Sequence, residues 1–415
     1  MQEFHNQTDI TKKNSFTQTQ FINWQTQAKS YKIYPKFFRR FNLDDYEELG
    51  FIKNFGKITY TKKYGNDEVN LRVNPSAGGL YPCEIYIQIR GIKSLLNGIY
   101  HYEPINNLLV LIHELSSDGL ENYLKIKQKK FIFLLSNAYF RTSWKYEKRA
   151  IRYLLLDTGH QLGSIYASLI LEGLDYTFEF NFDKEELNEV FSFDNYEHFV
   201  CAIYSSDYKE KDTKKLRDKI PFVNPCDYYI KEPFIEDFYS KLYKDNFKDF
   251  SCSFLKELQK DKLQKSIDNR RSARAFKKES ISKIEFETIL EDVFTYAKEF
   301  SLEIYFTNHL ITNLEKGIYK EYNLLKSGDF SEISEILAFN QKIGGTSAAT
   351  LFFTSKIKSN YSFNTILSGF LAHIISLRAT NSNINSTGIG AYFDDETKKV
   401  LETQNNILYL MAVGK

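Results

Sequence analysis

Residues 152–174 read RYLLLDTGHQLGSIYASLILEGL, an apolar stretch in which Gly159 and Gly163 stand one helical turn apart. Small residues at this spacing let a second helix approach closely, so the stretch predicts a tightly packed apolar helix. Residues 365–377, TILSGFLAHIISL, repeat the pattern with Gly369 and Ala372 in comparable places. The chain therefore contains two similar helices.

Each helix is followed by an acidic turn, FDKE at 182–185 and FDDE at 393–396. Each copy then ends in a β-like segment, at 199–204 and 407–413. The repeated order of helix, turn, short helix and strand predicts two degenerate copies of one α+β domain. The expected divisions are an N-terminal extension at 1–44, a first domain at 45–206, a linker and packing segment at 207–262, and a second domain at 263–415.

Composition limits the classes of function. The chain has 415 residues, of which 42% are hydrophobic and 26% are charged, as expected for folded domains. A formal net charge of +2 gives no electrostatic reason to expect nucleic acid or a membrane as partner. The first residues lack a basic region followed by an apolar stretch, so the cytoplasm is the expected location.

Metal binding is not expected from the sequence. The four cysteines are scattered without a Cys-x-x-Cys pair, which predicts reduced structural thiols. His160 and His373 lie on the two apolar helices, where a core histidine is the commoner case. Residues 394–396 are typical of a helix entrance.

Residues 269–276, NRRSARAF, form a cationic segment that we call the arginine start. Arginine side chains match phosphate oxygens in pairs and stay charged at every relevant pH, so a phosphate group would suit them. An exposed basic turn is the alternative.

Residues 74–82, NPSAGGLYP, form the Pro-Ser loop, which precedes a predicted strand at 84–89. Its glycines would let backbone amides approach a planar ring, although Pro and Gly also mark ordinary turns. A third element, the glycine segment STGIGAY at 386–392, could contact a ring edge or form a plain turn. No dinucleotide fingerprint or phosphate loop is present.

Together these residues resemble the FMN-dependent nitroreductase superfamily. The first half is similar to the SagB-type azoline dehydrogenases and the thiazoline oxidases, through residues 74–82, 98–104, 145–153 and 157–160. The resemblance implies an α+β fold of two tandem nitroreductase-like domains joined as an intramolecular pseudo-dimer. It also implies one FMN between the domains, with the back half supplying phosphate contacts.

The resemblance implies a set of cofactor-binding residues. Arg270, Arg271, Ser272 and Arg274 would hold the phosphate, with Asn340 and the run Gly388, Ile389 and Gly390 near the ring. The other side would be closed by Pro75, Ser76, Ala77, Gly78 and Gly79.

Lys145 and Tyr146 are the predicted catalytic residues, because a Lys-Tyr pair at this motif is associated with catalysis in the azoline dehydrogenases. Hydride removal from carbon needs a base for the departing proton, and a buried lysine or a tyrosine oriented by it could serve. The alternative places both on a solvated charged helix.

The resemblance favours dehydrogenation of a peptide-derived azoline, with a modified peptide or a small molecule as substrate. The internal pairing would allow the chain to act as a monomer. One alternative is an NAD(P)H-dependent reductase of nitro compounds or quinones. Another is a flavin-free pseudoenzyme that binds a partner.

Overall fold

The computed structural model describes residues 1–15, 22–64, 67–357 and 360–415. They form two compact units. The front unit is Ile22–Ser251, and the back unit joins the described part of Met1–Phe21 to Cys252–Lys415. The N-terminal extension predicted at 1–44 is thus shared between the units, and its residues 16–21 lie outside the described part of the chain.

The chain begins with two short helices of the back unit, α1 (Gln2–Asn6) and α2 (Lys12–Ser15). The front unit follows, with a seven-stranded sheet and a separate hairpin. Its strands are β1 (Arg40–Asn42), β2 (Ile58–Tyr64), β3 (Asp67–Arg72), β4 (Cys83–Ile89), β5 (Gly98–Glu103), β6 (Leu108–Glu114), β7 (Gln128–Asn137), β8 (Thr177–Glu179) and β9 (His198–Lys209).

Helices of the front unit cover its sheet and connect its strands. They are α3 (Glu121–Leu124), α4 (Phe140–Tyr146), α5 (Ala150–Glu172), α6 (Lys184–Val190) and α7 (Pro233–Leu242). Five 3-10 turns lie at Trp24–Thr26, Leu43–Asp45, Glu47–Phe55, Ala77–Gly79 and Glu147–Arg149. Nearly every residue of α5 is buried, which confirms the apolar helix predicted at 152–174.

The back unit has a six-stranded sheet and a small parallel pair, β10 with β12. Its strands are β10 (Ile281–Ser282), β11 (Leu302–Asn308), β12 (Ile311–Thr312), β13 (Gly317–Lys320), β14 (Asn323–Ser327), β15 (Ala349–Ser355), β16 (Asn385–Ile389) and β17 (Asn406–Gly414). Its remaining helices are α8 (Lys260–Asn269), α9 (Lys283–Ile289), α10 (Val293–Glu299), α11 (Ser331–Leu337), α12 (Lys342–Thr346), α13 (Tyr361–Asn381) and α14 (Asp394–Leu401).

The two main sheets share one topology. The front order is β1-β6-β5-β4-β7-β9-β8, and the back order is β14-β13-β11-β15-β17-β16. Every neighbouring pair in both sheets is antiparallel. In each unit a long buried helix and then a short helix connect the last three strands, so the prediction of two tandem α+β domains is confirmed.

Local signals explain where several elements begin. Ser282 and Glu285 form a reciprocal capping box at the start of α9. Asp394–Glu396 form the acidic first turn of α14, as expected for a helix entrance. The four cysteines are buried and free of disulfides. Among the described residues, no helix has the length and apolar character needed to cross a bilayer.

Candidate functional site

The Pro-Ser loop connects β3 to β4 in the front unit and is fixed by one carboxylate. The hydroxyl of Ser76 donates to Oδ2 of Asp157 at 2.5 Å, and the amide of Ala77 donates to Oδ1 at 3.1 Å. Ser76 Oγ in turn accepts the amide of Tyr81 at 2.9 Å. The loop is therefore closed on itself and bound to α5.

Asp157 is buried, and this changes its acidity. Burial raises the pKa of its carboxyl to about 7, while the hydrogen bonds from Ser76 and Ala77 act in the opposite direction. A charged carboxylate loses hydration inside a protein, so its neutral form is favoured. Near neutral pH this group changes its protonation state beneath the loop.

Helix α5 holds Asp157 in place through a row of polar side chains. Gln161, Ser164 and Ser168 recur at helical spacing and donate to backbone carbonyls of the turn at Glu47–Phe55. Buried polar side chains need hydrogen-bond partners, and these bonds supply partners for the three polar residues on an otherwise apolar helix. The helix is thus fixed in rotation, which aims Asp157 at the loop.

Tyr146, at the end of α4, lies against the same loop. A Cβ placed on Gly78 would stand 2.7 Å from the Tyr146 hydroxyl, so the loop backbone and the phenol are in close contact. Gly78 has φ +64°, a conformation that glycine adopts without strain. Tyr146, one of the two predicted catalytic residues, therefore contacts the Pro-Ser loop, and its catalytic role stays a prediction.

The surroundings of the Lys-Tyr pair are aromatic and partly enclosed. The Lys145 ammonium lies 5.5 Å from the centre of the Tyr146 ring and 5.8 Å from that of Trp24. Burial raises the pKa of the Tyr146 phenol above its ordinary value, with Tyr153 and Asp157 acting in the same direction. Both side chains are half-buried, whereas the charged residues Glu147 and Lys148 that follow them are exposed.

Tyr81, near the end of the Pro-Ser loop, connects the loop to a buried network of charged residues. The Arg141 guanidinium donates to the Tyr81 carbonyl at 3.0 Å and pairs with Glu84 at 2.6 Å. His101 lies 2.7 Å from the other oxygen of Glu84. The Arg72 guanidinium stacks over the Tyr81 ring at 4.6 Å. The loop therefore rests on a rigid, charge-compensated base.

In the back unit, the arginine start directly follows helix α8. Arg270 is buried, and the Arg271 guanidinium is half-buried and donates to the carbonyls of Asp268 and Arg270. Ser272 and Arg274 are exposed. The alternative prediction, an exposed basic turn, thus describes Ser272 and Arg274 but not the buried Arg270.

The structure brings the arginine start beside the glycine segment. Ser272 forms a parallel bridge with Ser386, and the amide of Ala273 donates to the Ser386 carbonyl at 2.9 Å. Ser386 lies in β16, which continues to Gly388 and Ile389. Gly388 is exposed, and a side chain there would collide with the Tyr409 hydroxyl.

Asn340 lies near the end of the glycine segment. It has φ +57° in the exposed turn after α11. Its neighbour Gln341 donates to the carbonyl of Ala391 at 3.4 Å. The role of Asn340 near the ring stays a prediction.

A groove of about 660 Å³ opens beside the arginine start. Cationic side chains of Lys262, Lys265 and Arg271 line it, together with polar and amide groups from the end of α13 and the start of β16. No carboxylate is among the lining residues, so the charge of this wall favours an anionic group.

The amino-acid sequence matches the model of the nitroreductase family at residues 67–205 and again at 267–415. The chain belongs to the nitroreductase family. The two matched stretches fall in the front and back units, which confirms the tandem arrangement inferred from the repeated helices. Membership of the nitroreductase family supports an oxidoreductase.

Relatives of the chain agree with this assignment. A crystal structure of an Anabaena variabilis protein named as a nitroreductase superposes with a TM-score of 0.83 at 21% identity, covering 100% of this chain and 99% of that one. A Methanocaldococcus jannaschii protein, also named as a nitroreductase, is 29% identical over 35% of this chain and 76% of its own length. Indigoidine synthase of Streptomyces lavendulae is 31% identical over 24% of this chain but only 7% of its own length.

The residues of this nitroreductase-family chain fit a flavin phosphate. Ser272 and Arg274 present a hydroxyl and a guanidinium on the exposed side of the arginine start, and Arg271 lines a carboxylate-free groove. Guanidinium and hydroxyl groups are the donors that phosphate oxygens accept.

Asp157 is the site residue that the sequence reasoning missed. The sequence showed it within a motif on the apolar helix, but no role followed from an isolated acid on such a helix. The signal available in the sequence was an ionisable residue within an otherwise apolar helix. If that helix is buried, the residue has no contact with solvent. Lys262 and Lys265 were missed as groove residues because lysines on an amphipathic helix usually face solvent.

Proposed function

We propose that the chain is an FMN-dependent oxidoreductase that dehydrogenates an azoline ring in a modified peptide or a similar small molecule. Arg270, Arg271, Ser272 and Arg274 would hold the phosphate, and the Pro-Ser loop and the glycine segment would contact the ring. That these residues serve one flavin is part of the proposal. Bound FMN would supply a two-electron acceptor at the reacting carbon.

One observation carries the catalytic half of the proposal, namely the close contact of the Tyr146 hydroxyl with Gly78 of the Pro-Ser loop. It places a polar group of the Lys-Tyr motif beside the residues assigned to the ring. The contact lies wholly within the front unit.

The chemistry needs a hydride acceptor and a proton acceptor, because conversion of an azoline to an azole removes one hydride and one proton. The raised pKa of Tyr146 keeps its phenol protonated at neutral pH, which suits a hydrogen-bond donor that orients the substrate. Proton acceptance then falls to the side chain of Lys145. The Pro-Ser loop, fixed by Asp157, would position the ring on this side.

The cofactor is tested by the visible spectrum of the purified chain. We expect a flavin band close to one equivalent per chain, and a large loss of that band in Arg274→Ala and Arg270→Ala. Arg274 is exposed, so its removal spares the core, whereas Arg270 is buried. Arg217→Ala is the matched control, because Arg217 is an exposed arginine of the front unit that pairs with Asp218 on the surface. A colourless protein that stays colourless with added FMN would indicate a binding pseudoenzyme instead.

The substrate class is tested on the flavin-loaded chain. A thiazoline carboxylate and a peptide containing a thiazoline are each incubated in air, and loss of two hydrogens is followed by mass spectrometry. Product that depends on Lys145 and Tyr146 supports the dehydrogenase.

A second candidate is an NAD(P)H-dependent nitro or quinone reductase, which the name of the Methanocaldococcus jannaschii relative favours. Anaerobic mixing with NADPH separates the two functions. Rapid bleaching of the flavin, followed by reoxidation with a nitroaromatic compound, would favour the reductase. Slow bleaching together with turnover of a thiazoline would favour the dehydrogenase.

A further inference from the structure

Three side chains that lie far apart in sequence converge within the back unit. They are His5 on α1, Asp9 just after it, and Asp394 at the start of α14. One ligand atom from each lies within 4.8 Å of the other two. Among the described residues, this is the one group of three His, Cys, Asp or Glu side chains arranged in this way.

The same nitrogen of His5 faces both carboxylates. Nε2 lies 3.5 Å from Oδ1 of Asp9 and 4.0 Å from Oδ1 of Asp394. Both separations exceed the usual length of an N–H···O hydrogen bond. Two ligands at about 2.1 Å from one ion stand about 3.4 Å apart at a tetrahedral angle, which is close to the separation of His5 and Asp9. The longer separation of His5 and Asp394 would shorten by about half an ångström when both atoms bind one tetrahedral ion.

The site is held on a buried frame. The side chains of His5 and Asp394 are fully buried, and that of Asp9 is 16% exposed. Oδ2 of Asp394 accepts the amide of Ile10 at 2.9 Å, and the Asp394 amide donates to the Ile10 carbonyl at 2.9 Å. These bonds fix the carboxylate so that Oδ1 is the oxygen directed at His5.

We propose that His5, Asp9 and Asp394 bind a divalent transition-metal ion such as Zn²⁺, with water completing the coordination. One imidazole and two carboxylates match the preferences of Zn²⁺, whereas Ca²⁺ and Mg²⁺ take oxygen ligands alone. The ion would join the N-terminal segment to α14 and stabilise the back unit. This site is separate from the proposed flavin chemistry and does not depend on it.

The test uses the full chain, treated with a chelator, desalted and then mixed with Zn²⁺. Metal content is measured by mass spectrometry after a second desalting, and thermal unfolding is followed with and without the ion. We expect about one Zn²⁺ per chain and a rise in Tm, because a ligand that binds only the folded state stabilises it.

One ligand variant and one control test the assignment. Asp9→Asn should lower the Zn²⁺ affinity at least tenfold and abolish the rise in Tm, and its partly exposed position favours retention of the fold. Glu3→Gln is the matched control, because it removes the same charge from an exposed position on α1 and should bind Zn²⁺ as the wild type does.

An ion pair without metal is the competing arrangement, with His5 protonated between the two aspartates. It predicts no Zn²⁺ beyond the level bound by Asp9→Asn, and an imidazole protonated on both nitrogens in ¹⁵N NMR spectra at neutral pH with Zn²⁺ present. Either result would overturn the proposal.

Discussion

The Ser76 hydroxyl donates a 2.5 Å hydrogen bond to the buried carboxyl of Asp157, which lies 81 positions later on α5. This bond joins a surface loop to the most deeply buried helix of the front unit. A change in the charge of Asp157 therefore changes its hydrogen bonds with the loop that we propose contacts the flavin ring.

Asp157→Asn should remove part of the pH dependence of stability. In the wild type the folded state binds an extra proton between about pH 4, where an unfolded aspartate titrates, and about pH 7. The free energy of unfolding should therefore fall as the pH rises through this window, by up to about 4 kcal/mol, and then level off. Urea denaturation at several pH values measures the difference.

The control for this prediction is Asp212→Asn, which removes an exposed carboxylate paired with Lys127 on the surface. It should keep the wild-type slope. If Asp157→Asn and the wild type gave parallel curves between pH 4 and 7, the raised pKa would be wrong.

Gly78→Ala should impair activity more than stability. The new Cβ meets the Tyr146 hydroxyl, which is the outer end of a side chain and can shift. The free energy of unfolding should fall by about 1–2 kcal/mol from the positive φ, and turnover should fall further because the phenol is displaced.

Gly173→Ala is the matched control for Gly78→Ala. It has φ +76° with nothing within 4 Å of the added Cβ, so it carries the backbone cost alone. Equal losses of turnover in the two variants would argue against a role for the contact between Gly78 and Tyr146.

Tyr146→Phe should lower turnover of the thiazoline about 10²-fold while the bound flavin remains. The substitution removes only the hydroxyl, so the flavin absorbance and the unfolding midpoint should change little. Lys145→Met should also lower turnover, because it removes the proposed proton acceptor. Full activity in both variants would remove the Lys-Tyr pair from the mechanism.

Lys32→Met should destabilise the front unit strongly. The buried Lys32 ammonium bonds Glu197 and lies 2.7 Å from the Tyr86 hydroxyl, so its loss leaves a buried carboxylate without its cation. The free energy of unfolding should fall by about 3–5 kcal/mol.

Two variants check the assignment of this loss to the stranded carboxylate. Adding Glu197→Gln to Lys32→Met should recover part of the stability, because the uncompensated charge is gone. Lys29→Met, at an exposed lysine paired with Asp227, should change stability by less than about 1 kcal/mol. If the double variant were as unstable as Lys32→Met alone, the loss of stability would come from lost packing and not from the uncompensated carboxylate.

The repeated pattern of the sequence predicted the repeated fold well. The apolar stretches at 152–174 and 365–377 lie in α5 and α13, and the β-like segments at 199–204 and 407–413 lie in β9 and β17. These elements are buried on most sides, so their apolar composition records their environment directly. The predicted strand at 84–89 is likewise part of β4.

The site followed the sequence less closely. The Pro-Ser loop and the arginine start were visible as local motifs, yet neither the Asp157 anchor nor the bridge between Ser272 and Ser386 was foreseen. Both join residues that are many positions apart, and a local pattern carries no information about such pairs. The convergence of His5, Asp9 and Asp394 was missed for the same reason.

The amino-acid sequence alone predicted two α+β domains and a cationic segment whose groups would suit a phosphate, because periodicity and residue type are local properties. The tertiary structure alone decided which groups meet. It placed Tyr146 against Gly78 and buried Asp157 beneath Ser76, and thereby set the acidity of both side chains. Acidity depends on the dielectric surroundings and on the neighbouring groups, and only the folded chain creates these.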